Sequence, residues 1–356
     1  MRWQMTEQRA TIPMRAVGPV KIVGPEVNAE VMLPLATFEI PLWPSTHRGA
    51  MTCNKAGGIQ AIILDDRMTR SVLLEARGAV QAYEAVASIE QHREVIQTIV
   101  KETSRYAKFL DMHIQLVGNL IYIRFEFNTA DASGHNMTTL AADRLVEWLL
   151  VRYPTLEYVS ISGNFCSDKK ASAVNGILGR GKYVVADVTI PRAVCQRFLK
   201  TTPEKIVQLN IKKNLIGNII AGGLRTANAH FANMLLGFYL ATGQDAANII
   251  EGSQGMVHAE VRDQDLYFSV TLPNLIVGTV GNGKGLDFVQ ENLALLGCLE
   301  KREPGQNARR LAIIAAAAVL CGELSLLAVQ TNRGELARSH LRLERQKSDK
   351  GPEHGE

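Results

Sequence analysis

Asp168, Lys169 and Lys170 set a carboxylate beside two ammonium groups where a short β-rich run, 158–162, ends in a polar turn. The small-residue stretch that follows, 171–178, reads as a helix, so the turn presents its cations from a rigid frame. Such cations suit an oxygen carrying or gaining negative charge. An isolated Asp-Lys-Lys turn, by contrast, is ordinary solvated surface. Glu39 lies among apolar neighbours in Phe38-Glu39-Ile40-Pro41-Leu42. Burial there disfavours its charged form and leaves a proton to give, whereas a solvated strand-edge Glu does no chemistry. The loop Asp131-Ala-Ser-Gly-His-Asn136 feeds a helix N-terminus, where free N–H groups favour an anion such as a pyrophosphate. Asp-x-x-Gly before a helix is also common capping chemistry, and Asp245 at a helix junction reads equally well as an N-cap. The glycine-rich turn 278–285 permits close approach of a ligand to the backbone but is a weak signal alone. His340 lies in a basic stretch with Arg338, Arg342 and Arg345, the usual setting of a solvated imidazole. No Gly-x-Gly-x-x-Gly follows a strand, which disfavours a Rossmann domain.

These residues need elements to position them. Residues 1–36, punctuated by Pro13, Gly18, Pro19, Gly24 and Pro25, read as short β runs. A compact unit follows: strand 71–75, helices 79–88 and 94–106, strands 112–117 and 120–127 around the hairpin signal Gly118-Asn119, helix 138–152, then strand 158–162. Leu140, Leu145, Trp148 and Leu149 form the apolar stripe of that last helix. This is the order of a ferredoxin-like sandwich. Beyond the central loop come strand 182–190, helix 192–200, a buried helix 226–241, a further helix opening after Gly243, strands 266–272 and 275–280, and an apolar helix 307–330. The longest apolar run, 311–321, is about half of the ~20 residues that a membrane span requires, so it reads as a core helix.

A chain of 356 residues suggests two domains or one with an insertion. With 46% hydrophobic and 21% charged residues it reads as an ordinary globular protein, and a net charge of +4 gives no reason to expect nucleic acid. Five widely spaced cysteines without a Cys-x-x-Cys pair point to a reducing compartment and to neither a disulfide framework nor a zinc site, and no metal is expected. The first residues lack the apolar core of a signal peptide. A cytoplasmic protein without a membrane anchor is expected.

The string Ser162-Gly-Asn-Phe-Cys-Ser-Asp-Lys-Lys-Ala-Ser-Ala-Val-Asn175 closely resembles the substrate loop of the 3-hydroxy-3-methylglutaryl-coenzyme A (HMG-CoA) reductase family. Further matches are Thr37, Glu39, Leu42, Ser45, Arg48 and Gly49, then Met68-Thr69-Arg70, Gly243-Gln-Asp-Ala246, Gly322-Glu-Leu-Ser325 and Ser339-His340, so that the resemblance runs from about Pro13 to Arg345. It implies an α+β fold with a large helix-and-sheet substrate domain, 1–71 and 161–346, and an inserted ferredoxin-like dinucleotide-binding domain, 72–160; the strongly charged composition of the end of the chain separately suggests a disordered tail, 347–356. The resemblance also implies a catalytic set of Glu39, Lys169, Asp245 and His340. Contacts to the hydroxymethylglutaryl group fall on Arg70, Ser162, Asp168, Lys170, Lys213 and Asn233, and contacts to CoA phosphates on Arg48 and Lys200. Dinucleotide contacts fall on Ser104, Arg105, Tyr106, Asp131, Ser133, Gly134, His135, Asn136, Gly281, Asn282, Gly283 and Arg345, with NADPH favoured over NADH.

Chemistry fits these assignments. Lys169 would steady the oxyanion made by each hydride, His340 would protonate the leaving thiolate, and Glu39 would protonate the aldehyde oxygen. Asp245 would keep Lys169 charged and raise the Glu39 pKa. The family's shared sites imply an even homo-oligomer. This sequence departs from the pattern at His135, where the family often has Met, at Asn282 and Lys284 in the glycine run, and at Trp43-Pro44 beside Glu39. A non-catalytic acyl-CoA-binding relative with an altered cofactor loop is the alternative expectation.

Overall fold

The computed structural model describes residues 10–338 and Leu341. Its organising strand is long. β1 (Met14–Val23) and β2 (Asn28–Ala36) pair antiparallel, and β3 (Ile59–Glu75) lies parallel to β1 before running on into a second sheet. The expected strand 71–75 is only its end. Asp65, Asp66 and Arg67 interrupt the apolar alternation of β3, yet Asp66 pairs with Lys182 at 3.1 Å and Arg67 pairs with Asp65 and Glu126. Compensated charges therefore let one strand cross from sheet to sheet.

In the second sheet, β4 (Lys108–Val117) and β5 (Leu120–Asn128) meet at the Gly118-Asn119 turn, and β6 (Glu157–Ser160) borders β3. The order is β4-β5-β3-β6 with every neighbour antiparallel, the split β-α-β-β-α-β arrangement. The helices Ala79–Ile89, Arg93–Thr103 and His135–Arg152 pack on it around Val72, Ile96, Ile123, Phe125 and Leu145. The first sheet continues through β7 (Gly181–Ile190), β8 (Thr226–Ala227), β9 (Gly255–Arg262) and β10 (Asp265–Leu275) in the order β2-β1-β3-β7-β10-β9-β8. A separate and larger core belongs to it.

That core encloses the helix Gln306–Gln330, whose alanine-rich middle combines high helix propensity with small cross-section. By length and composition the helix could cross a membrane, but 94% of its most apolar window is buried inside the protein, as a core helix should be. Its N-terminus is capped from the other unit: Asp131 accepts from the backbone N–H of Gly305 at 2.8 Å and of Ala308 at 2.9 Å. Against its C-terminal half lies the helix Leu42–Lys55, so closely that a Cβ on Gly49 would stand 2.0 Å from the Cys321 carbonyl oxygen. Backbone cannot yield there as a side chain tip would. Gly49→Ala is expected to cost about 1–3 kcal/mol of stability, measured by denaturant unfolding.

Several sequence expectations shift. The buried helix starts at Phe231, not 226, because Glu323 accepts the N–H groups of Ala229 and His230 and Asn228 accepts that of Phe231, leaving 226–230 as a short strand and a turn. β10 ends at Leu275, so 275–280 is no strand of its own: a Cβ at Gly278 would stand 2.4 Å from the Ser133 backbone nitrogen, and Val280 makes only an isolated bridge to Ala132. The helix Leu42–Lys55, the strand β9 and the helix Asp287–Leu295 had no sequence expectation.

Candidate active site

The loop 163–170 is built under conformational strain. Asn164, Ser167 and Lys169 all have positive φ, of 57°, 40° and 56°, a region that non-glycine residues enter only when the surroundings fix them. The fixing groups are visible. Arg124 donates to the Phe165 carbonyl at 3.3 Å and to Asn175 Oδ1 at 2.8 Å, while Asn175 Nδ2 donates to the Ser167 carbonyl at 3.0 Å. Glu251, fully buried, accepts the Lys169 backbone N–H at 3.0 Å and Arg180 Nη1 at 2.8 Å. The other guanidinium arm of Arg180, a residue only 1% exposed, reaches Asp168 Oδ1 at 3.0 Å. Burial would raise the Asp168 pKa, but His135, Arg180 and Lys169 outweigh it and hold the carboxyl well below the usual range. Burial likewise raises Glu251, with Arg180 opposing.

With its backbone held, Lys169 aims Nζ at Asp245 Oδ2, 2.8 Å away, and both side chains stay open to ligand, 41% and 45% exposed. The Asp245 hydrogen bond raises the Lys169 pKa. Burial pushes Asp245 up, but Lys169 and the Ala247 N–H outweigh it and lower its pKa. Asp245 is thus an N-cap through Oδ1, 3.1 Å from Ala247 N, and an ion-pair partner through Oδ2, so the capping expectation was right and incomplete. Lys170 is exposed and bonds to the Asp168 carbonyl at 3.1 Å. From β3, Arg70 donates to the Ile161 carbonyl at 3.1 Å, next to Ser162, whose N–H is accepted by Ser160 Oγ.

A second group of residues lines a cavity of about 810 Å³, among them Glu39, Arg48, Lys200, His230 and Asn233. Glu39 is exposed in the turn after β2 rather than set in apolar surroundings: Phe38 points outward, 72% exposed, and Asn233 Nδ2 donates to Glu39 Oε2 at 2.5 Å. The apolar letters on either side of Glu39 do not cover it. Arg48 donates to Ser325 Oγ and to the Ser325 carbonyl, the latter at 2.7 Å, which ties the Gly-Glu-Leu-Ser segment to the cavity. Burial lowers the Arg48 pKa, with Glu335 opposing. Lys200 and Lys213 are both associated with π-helical turns, Lys200 closing Cys195–Leu199 at φ 55° and Lys213 inside Asn210–Gly217. Such turns re-aim side chains and recur at functional positions. Burial lowers the Lys213 pKa, and Glu323 opposes. Among the described residues, no hydrogen bond or ion pair joins Glu39 or Asn233 to Lys169 or Asp245.

The loop 131–136 could hold an anionic dinucleotide. Gly134, at φ 96°, opens the helix His135–Arg152 without a side-chain cap, so its first N–H groups have no capping side chain. Ser133 adjoins Gly278, and Gly281 and Gly285 face open space. His135 Nε2 stands 3.5 Å from Asp168 Oδ1, while Asn136 is exposed. Asn282 and Gly283 are exposed on the facing turn. Ser104, Arg105 and Tyr106 follow the helix Arg93–Thr103, with Arg105 stacked 4.7 Å over the Tyr106 ring. Asp131 is occupied by its capping role. His340, Arg345, Ser339 and the stretch 347–356 lie outside the described residues. Sequence reading missed Arg180, Glu251, Glu323 and His230. Burial raises the pKa of Glu323, which caps the turn that carries His230, and only the Gly-Glu-Leu-Ser match hinted at it.

Comparison with known proteins agrees with this arrangement. A family model described as hydroxymethylglutaryl-coenzyme A reductase matches residues 8–345. A 3-hydroxy-3-methylglutaryl-coenzyme A reductase of Pyrococcus abyssi is 44% identical over 94% of this chain and 82% of its own length. One of Haloferax volcanii is 41% identical over 94% and 82% respectively. The class II 3-hydroxy-3-methylglutaryl-CoA reductase of Streptococcus pneumoniae, solved bound to NADPH, shares the fold with a TM-score of 0.73 at 18% identity, over 93% of this chain and 88% of that one. Long matching motifs, the α+β architecture and the clustered Lys169 and Asp245 converge, and the chain belongs to the 3-hydroxy-3-methylglutaryl-coenzyme A reductase family.

Proposed function

We propose that this chain reduces HMG-CoA to mevalonate and free CoA with two NADPH. The observation that carries the reading is the Lys169–Asp245 pair, 2.8 Å apart and open to ligand on a loop whose backbone is fixed by Glu251, Arg124 and Asn175. NADPH when bound supplies hydride. Lys169 then stands ready beside an oxygen that gains negative charge, and Asp245 keeps the amine protonated. Glu39, oriented by Asn233, is the proton donor to the second carbonyl oxygen, and His340 the donor to the thiolate. Arg70, Ser162, Asp168, Lys170, Lys213 and Asn233 would bind the hydroxymethylglutaryl group. Arg48 and Lys200, at the cavity, would bind CoA phosphates. Arg48→Ala is expected to raise the Kd for the CoA ester about tenfold and to weaken its salt dependence, measured by calorimetry at two ionic strengths.

The two separate cores support a partition into a substrate domain, 1–71 with 161–346, and a dinucleotide domain, 72–160. Arg105, exposed on the latter, would favour the 2′-phosphate of NADPH over NADH. Five free, buried cysteines suit a cytosolic setting. An even oligomer with shared sites explains why the Glu39 and Lys169 groups are not joined within one chain and why Ile211, Ile216, Ile219 and Ile220 form an exposed apolar face. Co-expression tests this directly. Lys169→Ala and Glu39→Gln chains, each inactive alone, should together recover roughly a quarter of wild-type activity through hybrid dimers. No recovery despite demonstrated hybrid assembly would place the whole site in one chain.

A further inference from the structure

The turn that carries Asp245 has its own latch. Gly243 and Gly283 meet backbone to backbone: a Cβ on Gly243 would stand 2.5 Å from the Gly283 carbonyl oxygen, and one on Gly283 2.8 Å from that of Gly243. Gln244 accepts the Gly278 N–H at 2.9 Å and donates to the Thr242 carbonyl at 2.7 Å. Into this contact Lys284 sends its amine, which donates to the Gly243 carbonyl oxygen. The residue is only 7% exposed on a turn whose neighbours Gly283 and Gly285 lie at the surface. Lys284 also accepts Gln290 Nε2 on its carbonyl, which ties the turn to the helix Asp287–Leu295.

A buried ammonium is costly, and lysine is seldom buried without a partner. Yet among the described residues Lys284 forms no ion pair, neither with Asp245 on the turn it holds nor with Asp287 or Glu291 on the helix packed behind it. Its compensation is the carbonyl dipole of Gly243. Solubility does not explain a charge that water scarcely reaches. The amine's one directional bond is to the residue two before Asp245.

We propose that Lys284 is a positioning residue for the Lys169–Asp245 pair, its amine locking the Gly243–Gln244–Asp245 turn onto the glycine-rich turn 278–285. The inference rests on the reading of Lys169 and Asp245 as the groups that act on substrate. It also links two surfaces, since the exposed residues Gly281, Asn282 and Gly283 belong to the turn that Lys284 fastens to Asp245. A ligand seated on that turn would thereby be felt at Asp245.

Burial lowers the Lys284 pKa from 10.5 to about 8. The amine therefore loses a proton, and weakens as a donor, at a pH where Lys169, raised by Asp245, stays charged. Wild-type kcat should fall as pH rises through about 8. The test compares Lys284→Met, which removes the donor, with Lys284→Gln, which keeps an N–H donor that does not titrate. Lys284→Met is expected to lower kcat about tenfold with little change in KM for HMG-CoA. Lys284→Gln should restore most of that loss and remove the limb near pH 8. A change in packing alone would shift the melting temperature and leave the pH profile intact.

A second readout does not depend on turnover. Lysine side-chain NMR should show the Lys169 titration moving down toward that of an unpaired lysine in Lys284→Met and staying raised in Lys284→Gln. If the wild type turns over no HMG-CoA while this titration shift appears, the positioning role stands and the reductase reading fails. A folded Lys284→Met with wild-type kcat, an unaltered alkaline limb and an unmoved Lys169 titration overturns the proposal.

Discussion

Lys169→Ala is expected to lower kcat for HMG-CoA reduction by about 10²–10³-fold, the usual cost of removing one fixed donor from an oxyanion site. KM should change far less. The loop is held by backbone bonds through Glu251, Arg124 and Asn175 rather than by the Lys169 side chain, so the variant should keep its fold and its substrate contacts. Asp245 would lose its ion-pair partner, and its carboxyl, lowered in part by Lys169, should titrate at higher pH. Steady-state kinetics of NADPH oxidation check the rate, and a melting curve within a few degrees of wild type excludes unfolding. A variant that keeps more than a tenth of wild-type kcat would remove Lys169 from the chemistry.

The largest stability effect should come from Arg180→Met, at about 3–5 kcal/mol, because one substitution leaves the fully buried Glu251 without its cation and takes one of three positive neighbours from the partly exposed Asp168. Glu251 is fully buried and already raised by burial, with Arg180 as its chief opposition, and Asp168 would keep only His135 and Lys169. The sign of the pH dependence follows. A carboxyl raised above its unfolded pKa binds more protons in the folded state, so stability falls as pH climbs from the unfolded value through the folded one. The deficit of Arg180→Met should accordingly be smallest in acid and grow toward neutrality, measured by urea unfolding across pH. Adding Glu251→Leu should return part of the stability without returning turnover, because Lys169 would then lack an acceptor for its strained N–H.

What the sequence disclosed was local. The Gly118-Asn119 hairpin, the helix expected over 138–152 and the strand-to-turn passage at 158–170 each depend on neighbours in the chain; the hairpin and the passage formed where expected, and the helix begins three residues earlier, at His135. The helix Leu42–Lys55 was hidden because, beyond Leu42 and Trp43 in its first turn, its buried residues are small or polar, Thr46, Gly49, Ala50, Thr52 and Cys53, and Gly49 meets the Cys321 backbone, so no apolar periodicity marks it. β3 was hidden for the opposite reason, charges in mid-strand that Lys182 and Glu126 neutralise from other strands. Within the site, Lys169 and Asp245 could be named only by resemblance, since nothing local draws them together. Glu39 shows the limit of reading environment from adjacent letters: its apolar neighbours turn elsewhere, and Asn233 meets it instead. Glu251 and Lys284 act on backbone atoms of distant residues, and Arg180 on the distant carboxylates of Glu251 and Asp168, so none of the three leaves a pattern to read.

The central claim is best tested by counting products. Purified protein given HMG-CoA and excess NADPH should oxidise two NADPH for every CoA thiol released, and the Lys169→Ala protein should do neither at a comparable rate. Folded wild-type protein that binds the ester saturably yet oxidises no NADPH, or that frees the thiol without NADPH, would contradict it and leave an acyl-CoA-binding relative in its place.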